Sequence, residues 1–180
     1  KHGVEFGRNV NAYTAQDETV YNISEVPTTN PGLLDTCLLV LHDWSHYLLL
    51  VDEEIDGERG VISEEWRTRR NAGFRVRNQI MPVLLKDSKY AQRDVIGDLN
   101  IIKNFKYQTL RDYYHKWYRP DLQAIAVVGD FDVDQMEKKV KELFSKIPTP
   151  VNPAKRENFT VNPHDEIYFV CATDKELTQS

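Results

Sequence analysis

One segment of the chain, residues 33–51, most constrains what the chain can fold into. It reads LLDTCLLVLHDWSHYLLLV, and its polar residues fall on one stripe of a helix while the rest of its surface is apolar. A helix that is apolar over most of its surface has to be buried against another layer of structure. The segment therefore predicts a helix that packs on a sheet.

Four other segments predict the strands of that sheet. Residues 10–14 and 21–23 alternate in side-chain character around a short polar connection, which is typical of two adjacent strands. LQAIAVVGD (122–130) and EIYFVCAT (166–173) are nearly continuous apolar runs rich in β-formers, and they predict two further strands.

Three more helices are predicted between and after these strands. Residues 52–85 form a long charged helical region in which Pro82 marks a kink or an end. Residues 104–120 predict a shorter amphipathic helix, and Asp132 with its capping pattern opens another over 133–147. Strands and helices are mixed without regular alternation, so the expected class is α+β, with helices packed on a mostly antiparallel sheet.

Composition excludes some partners. The net charge is −5 and the chain has no basic run, which argues against nucleic acid and against an anionic membrane surface. No apolar run approaches the roughly 20 residues that a membrane-spanning helix needs, so no membrane insertion is expected. The opening KHGVEFGRNV has no initiator methionine, which suggests a piece of a longer protein.

Two carboxylates in the second helical region form a candidate site. Glu58 and Glu65 are seven residues apart in ERGVISEEWR, which is almost two helical turns, so both should point the same way. Such a pair is either part of a solvated acidic face or part of a metal site.

HDWSH offers a competing metal site. His42 and His46 are four residues apart on a helix, and Glu65 lies nineteen residues further on, a spacing like that of H-E-x-x-H zinc peptidases. However, Asp43 occupies the position of the catalytic Glu and is one methylene shorter. Both histidines also lie on the polar stripe, so they are predicted to be solvent-facing and unligated.

Three blocks in order resemble one family over nearly the whole chain. NAYTAQDETVYNISEVP, EEIDGERGVISEEWR and WYRPDLQAIAVVGDFD resemble the insulinase/pitrilysin (M16) zinc metallopeptidases, and most closely the bacterial envelope branch of that family. The resemblance implies the LuxS/MPP-like metallohydrolase fold with an incomplete N-terminal domain. The implied division is the distal part of that domain over 1–148, a linker over 149–165 and the start of the following domain over 166–180.

The resemblance also assigns site residues. The family holds zinc with the two histidines of H-x-x-E-H and a distal glutamate, and Glu65 matches that glutamate. Glu58 matches the acidic residue that takes the other ring proton of a ligating histidine. Asn11 and Ala12 match positions that contact substrate peptide, although Asn11 is equally well explained by a local role at the strand. Glu64 should point about 100° away and is not expected to be a ligand.

The general base implied by the resemblance is absent, because none of the five histidines belongs to an H-x-x-E-H. The whole protein is expected to be a zinc-dependent metalloendopeptidase of a bacterial periplasm or cell envelope. Its expected substrates are peptides or small unfolded proteins, and its remaining domains are expected partners. The 180-residue chain by itself is expected to be inactive, with no zinc bound. The alternative is a non-catalytic M16-like peptide-binding or processing-subunit module, but the complete ERGVISEE spacing favours the active type.

Overall fold

A computed structural model describes residues 4–5 and 7–178. Its strands are β1 (Val10–Thr14) and β2 (Thr19–Ile23). Its helices are α1 (Pro31–His46), α2 (Asp52–Arg69), α3 (Ala72–Leu84), α4 (Leu99–Asn104), α5 (Tyr107–Trp117) and α6 (Val133–Phe144), with 3₁₀ turns at Lys89–Gln92 and Pro120–Leu122. The chain forms two compact units, one of residues 1–50 and 107–154 and the other of residues 51–106 and 155–180.

The first unit contains the predicted strand pair. β1 and β2 are antiparallel, in a register that runs from Val10 opposite Ile23 to Thr14 opposite Thr19. The α+β class is confirmed, and the predicted helix on the sheet is present as α1. The ring of Tyr21 in β2 lies 5.6 Å from the ring of Trp44 in α1, so helix and hairpin are in direct contact.

α1 begins at a capped residue and ends earlier than predicted. The side chain of Asn30 accepts a hydrogen bond from the backbone N–H of Leu33, and Pro31 occupies the first turn, where its missing N–H costs nothing. The helix ends at His46, short of the predicted Val51. The chain then passes through Leu50 with φ of +48°, a backbone conformation that helices do not contain.

A buried hydroxyl and an arginine hold α5 beside the end of α1. Tyr114 is buried, and its hydroxyl donates to the carbonyl of Trp44 at 2.8 Å and accepts from the N–H of Leu48 at 3.3 Å. Burial raises the pKa of Tyr114 to about 12. Arg111 donates twice to the carbonyl of Leu50, which fixes the unusual backbone there.

α6 is the predicted capped amphipathic helix. Asp132 accepts from the N–H of Gln135 at 2.9 Å, which satisfies one of the free N–H groups at the helix start. Met136 and, just past the helix, Ile147 are buried, as the periodicity predicts. The ring of Phe144 lies 5.6 Å from that of His42, so α6 packs on α1.

In the second unit the predicted long helical region is divided into α2 and α3. Asn71 lies between them, and its side chain accepts from the N–H of Phe74, which starts a new helix. Pro82 lies in the last turn of α3, which ends two residues later at Leu84. α4 was not predicted, because six residues are too few to show a helical period. Its start is marked by Asp98, whose carboxylate accepts from the N–H groups of Asn100 and Ile101.

Two predicted strands are not strands. Residues 123–128 and 166–172 are outside regular secondary structure, and no strand within the described residues pairs with either. A strand needs the backbone groups of a neighbour, which an apolar run cannot supply by itself. Their exposure still alternates, with Val128 at 96%, Ile167 at 99% and Phe169 at 90% exposed. Within the described residues, no helix has the length and apolar character needed to cross a membrane.

The C-terminal segment of the second unit is attached to α3 by an ion pair. Arg75 donates to both carboxylate oxygens of Asp174, at 2.7 and 2.8 Å, and also to Glu176 at 2.6 Å. These bonds favour the charged carboxylate, so the pKa of Asp174 falls from 3.8 to about 2, with its hydrogen bonds to Arg75 as the largest cause.

We expect this attachment to weaken in acid. Because the pKa of Asp174 is lower in the folded state, its contribution to stability is complete above about pH 4 and is lost as the pH falls towards 2. Arg75→Gln should move the Asp174 midpoint upward, towards the ordinary value near 3.9. A carboxyl-carbon NMR titration measures this midpoint, and Arg77→Gln on the exposed side of α3 is the matched control. Equal midpoints in Arg75→Gln and the unmodified protein would contradict the assignment.

Candidate metal and peptide site

α2 carries both candidate carboxylates. The helix is continuous from Asp52 to Arg69, so Glu58 and Glu65 lie two turns apart on the same side of it. Ile55 is the buried residue of α2. Glu58 is exposed and Glu65 is half-buried. The helix thus has one core side and, next to it, a side that presents two acidic groups outward.

The carboxylate of Glu65 is already oriented by a neighbour. It pairs with the guanidinium of Arg69, one turn further along α2. The Arg69 side chain is 63% exposed, and solvent-exposed ion pairs of this kind contribute only about 0–1 kcal/mol. A cation could therefore replace Arg69 as the partner of Glu65 at little cost. Glu64 pairs instead with Arg67, on a different side of the helix.

Two residues attach α2 to the segment that contains α4. Arg59 donates to the carbonyls of Ile102 and Phe105, at 2.6 and 2.7 Å. Trp66 donates through Nε1 to the carbonyl of Gly97 at 3.2 Å. The face of α2 next to the two carboxylates is therefore held at two points.

β1 presents an open edge. Within the described residues the sheet has two strands, so β1 pairs on one side only. The N–H of Ser24 donates to the carbonyl of Asn9, and the N–H of Ala15 donates to the carbonyl of Glu18. Hydrogen-bonded pairs alternate along an antiparallel ladder, so the backbone groups of Ala12 point away from β2.

The Asn11 side chain uses part of that edge. Its Oδ1 accepts from the N–H of Ala12 at 2.8 Å, and both residues are exposed. This hydrogen bond is the local role at the strand that was one of the two alternatives predicted for Asn11. It also shows that the outward N–H of Ala12 is able to donate a hydrogen bond to an oxygen acceptor.

The prediction that His42 and His46 are solvent-facing is wrong. His42 is buried with 9% exposure, stacks on the ring of Tyr47 at 4.8 Å, and has Nδ1 3.0 Å from a carboxylate oxygen of Asp43. His46 is half-buried, and its Nδ1 donates to the carbonyl of Tyr118 at 3.1 Å. The two histidines face protein because α6 packs against His42 and the chain around Tyr118 contacts His46. The other polar residues of the stripe are exposed, namely Asp35, Thr36 and Asp43.

The carboxylates suit zinc chemically, since aspartate and glutamate oxygens are accepted zinc ligands. A zinc site needs at least three protein ligands, and no group of three His, Cys, Asp or Glu side chains that could hold a metal occurs in the described part of the chain. The roles assigned to Glu65, Glu58, Asn11 and Ala12 stay predictions, as does the placement of α2 near β1.

The sequence matches two models of one family. The insulinase (peptidase family M16) model matches residues 2–87, and the peptidase M16 inactive-domain model matches residues 104–180. The chain belongs to peptidase family M16. The M16 resemblance of the three sequence blocks is thereby confirmed.

Individual M16 proteins are similar over most of the chain. "Probable zinc protease PqqL" of Haemophilus influenzae is 35% identical over 162 residues, which are 90% of this chain and 17% of that protein. The first half of the periplasmic protease PqqL from Escherichia coli has a similar structure, with a TM-score of 0.82 and 34% identity, covering 88% of this chain and 34% of that one. The ferredoxin protease FusC, solved as a mutant in complex with Arabidopsis ferredoxin, gives a TM-score of 0.76 at 28% identity, covering 83% and 16%.

These M16 relatives are much longer than the chain. The chain spans about a sixth of the Haemophilus protein and about a third of the solved half of the Escherichia protein. It is thus similar to a PqqL-like portion of an M16 protein, and these relatives are described as zinc or periplasmic proteases.

Proposed function

We propose that the whole protein is a zinc-dependent metalloendopeptidase of the bacterial periplasm that hydrolyses peptides or small unfolded proteins. The observation that carries the proposal is the pair Glu58 and Glu65 on one side of α2, within the region that matches the M16 peptidase model. The periplasmic location and the zinc are supported by the descriptions of the PqqL relatives.

Each carboxylate of α2 has its own role in this proposal. Glu65 supplies one zinc ligand, because its half-buried carboxylate has an exposed and replaceable arginine partner. Glu58 accepts the free ring proton of a ligating histidine, which fixes the orientation of that ring. The histidines and the general base are supplied by an H-x-x-E-H elsewhere in the whole protein. The direct test is Glu65→Gln in the whole protein, with zinc content and peptide hydrolysis as readouts.

The edge of β1 is the proposed peptide-binding element. An extended peptide can add to an exposed strand through main-chain bonds, which tolerates many side chains. Ala12 offers an outward N–H for such a bond, and the Asn11 side chain occupies that donor until a peptide carbonyl replaces it. Asn11 is then free to contact the bound peptide.

The role of Ala12 predicts a change in substrate affinity. Ala12→Pro removes the outward N–H but leaves the bonds to β2, because proline is tolerated where the N–H faces away from the ladder. We expect the KM of the whole protein for peptides to rise about fivefold to tenfold, the effect of roughly one lost hydrogen bond. Steady-state kinetics measure this, and Ala12→Ser, which keeps the N–H, should behave like the unmodified protein. An unchanged KM in Ala12→Pro would remove β1 as the binding edge.

A non-catalytic M16 module is the second candidate. Residues 104–180 match the inactive-domain model, which favours a role in binding or support for that part of the chain. Measuring peptide affinity and zinc-dependent hydrolysis on the same whole protein distinguishes the two candidate functions. A binding module would retain peptide affinity without any zinc-dependent hydrolysis.

A further inference from the structure

The two carboxylates of α2 share an unusual arrangement with their immediate neighbours. Glu58 is followed by Arg59, and Glu65 is followed by Trp66. Arg59 and Trp66, which we call the two anchors, therefore have the same seven-residue spacing as the two acids. Successive residues differ by about 100° around a helix. The anchors therefore form their own row on α2, beside the row of carboxylates.

The Arg59 anchor is strong and specific. Its side chain is only 15% exposed, and its guanidinium carbon lies 3.9 Å from the centre of the Phe105 ring. Ile102 and Phe105, whose carbonyls it binds, lie in and just past the last turn of α4, where carbonyls lack partners within the helix. Nε also donates to Asp56, one turn back on α2, at 2.9 Å. Only the planar, forked guanidinium can reach all of these acceptors.

The Trp66 anchor is at the opposite end of α4. Its Nε1 donates to the carbonyl of Gly97, a glycine with φ of +83° just before the N-cap Asp98. The Trp66 ring is covered by the guanidinium of Arg70 at 3.6 Å, which in turn lies 3.7 Å from Asp94. Arg59, the earlier anchor in the sequence, binds the later residues Ile102 and Phe105, whereas Trp66, the later anchor, binds the earlier residue Gly97. Residues 97–105 therefore run antiparallel to α2 and hold it at its middle and near its C-terminal end.

Two attachment points fix both the rotation and the axial position of a helix, which one point cannot do. A carboxylate lies roughly 6 Å from the helix axis, so a rotation of only 10° displaces it by about 1 Å. Functional groups have to be held within roughly 0.5 Å of their working position. A displacement of about 1 Å can lower a rate by about 100-fold.

We propose that Arg59 and Trp66 are positioning residues, which hold α2 against residues 97–105 so that Glu58 and Glu65 keep the geometry required for metal binding and turnover. The proposal rests on the proposed zinc peptidase function. It assigns a role to α4, which carries no candidate site residue of its own and serves as the support of α2.

The experiment compares three conservative variants of the whole protein. Arg59→Lys keeps the positive charge and removes the planar guanidinium with its several N–H donors. Trp66→Phe keeps an aromatic ring and removes the indole N–H donor. Arg67→Lys is the matched control on the same helix, since the Arg67 side chain is exposed and pairs with Glu64 one turn back on α2. For each variant we would measure kcat, KM, zinc affinity by chelator competition on the metal-depleted protein, and the folded fraction by circular dichroism at the assay temperature.

We expect Arg59→Lys and Trp66→Phe each to lower kcat and zinc affinity about 10-fold to 100-fold. KM should stay within about twofold and the folded fraction should be unchanged, while Arg67→Lys should match the unmodified protein. The proposal is overturned if both variants match Arg67→Lys. It is also overturned if activity falls only in proportion to the folded fraction, because the anchors would then serve stability alone.

A parallel Glu65→Gln variant separates this inference from the function on which it rests. If Glu65→Gln retains full zinc affinity and activity, the proposed function fails and the role of the anchors fails with it. If Glu65→Gln is inactive while Arg59→Lys and Trp66→Phe are normal, the peptidase function stands and only the positioning role is removed.

Discussion

Glu65→Gln in the whole protein should lower zinc-dependent peptide hydrolysis by about 100-fold or more. The amide is nearly isosteric with the carboxylate but carries no negative charge, so the metal loses one charged ligand. Structural zinc sites contribute on the order of 10 kcal/mol, and one ligand of three represents about 3 kcal/mol of that, or roughly 100-fold in affinity. Zinc content by elemental analysis and turnover of a quenched peptide measure the two effects together.

The matched control for that substitution is Glu64→Gln. Glu64 is the adjacent residue of α2, has the same chemistry, and forms its ion pair with Arg67 on another side of the helix. It should retain zinc and activity, because an exposed i,i+3 pair contributes little to stability. Equal losses in Glu64→Gln and Glu65→Gln would mean that the acidic face acts only through its total charge, and the assignment of Glu65 would fall.

The 180-residue chain alone should neither bind zinc tightly nor cleave peptides, while the whole protein does both. The reason is chemical, since the sequence has no H-x-x-E-H and Glu65 is the one ligand that the family pattern assigns in it. Without the other two ligands most of a binding free energy of order 10 kcal/mol is lost. Zinc titration followed by calorimetry, together with the quenched-peptide assay, compares the two proteins directly.

A histidine variant makes that comparison sharper. His42 and His46 are the imidazole side chains of α1, and any weak adventitious zinc binding by them would disappear in His42→Ala/His46→Ala. Tight, stoichiometric zinc binding by the unmodified chain that this double substitution abolishes would revive the H-E-x-x-H-like reading. Zinc-dependent turnover by the chain alone would contradict the prediction outright.

The elements that could be predicted from the sequence are those whose signal is local. β1 and β2 follow from alternation over a few residues, and the start of α6 follows from Asp132, whose side chain caps it. The shared side of Glu58 and Glu65 follows from helical spacing alone. Each of these signals lies within one short stretch of the sequence.

The features that were missed depend on residues far apart in the chain. Residues 123–128 have strand composition, but a strand forms only beside a partner, and composition does not specify one. The polar stripe of α1 suggested exposed histidines, whereas Phe144, about a hundred residues away, covers His42. No local motif marks Arg59 as an anchor, because it donates to the backbone carbonyls of Ile102 and Phe105. Every residue has such a carbonyl, so the sequence does not show which ones Arg59 binds.

The bond between Asn11 and Ala12 also bears on solubility. An open strand edge is a template on which a second chain can add, and repeated addition leads to aggregation. β1 is only five residues long, and the Asn11 side chain occupies one of its outward donors. The short edge and the occupied N–H of Ala12 therefore disfavour the addition of a long strand from a second chain. A single carbonyl oxygen can still replace the Asn11 side chain as the acceptor of that N–H. In the proposed peptide-binding role of β1, the Asn11 side chain thus limits self-association and can still be replaced by a peptide carbonyl.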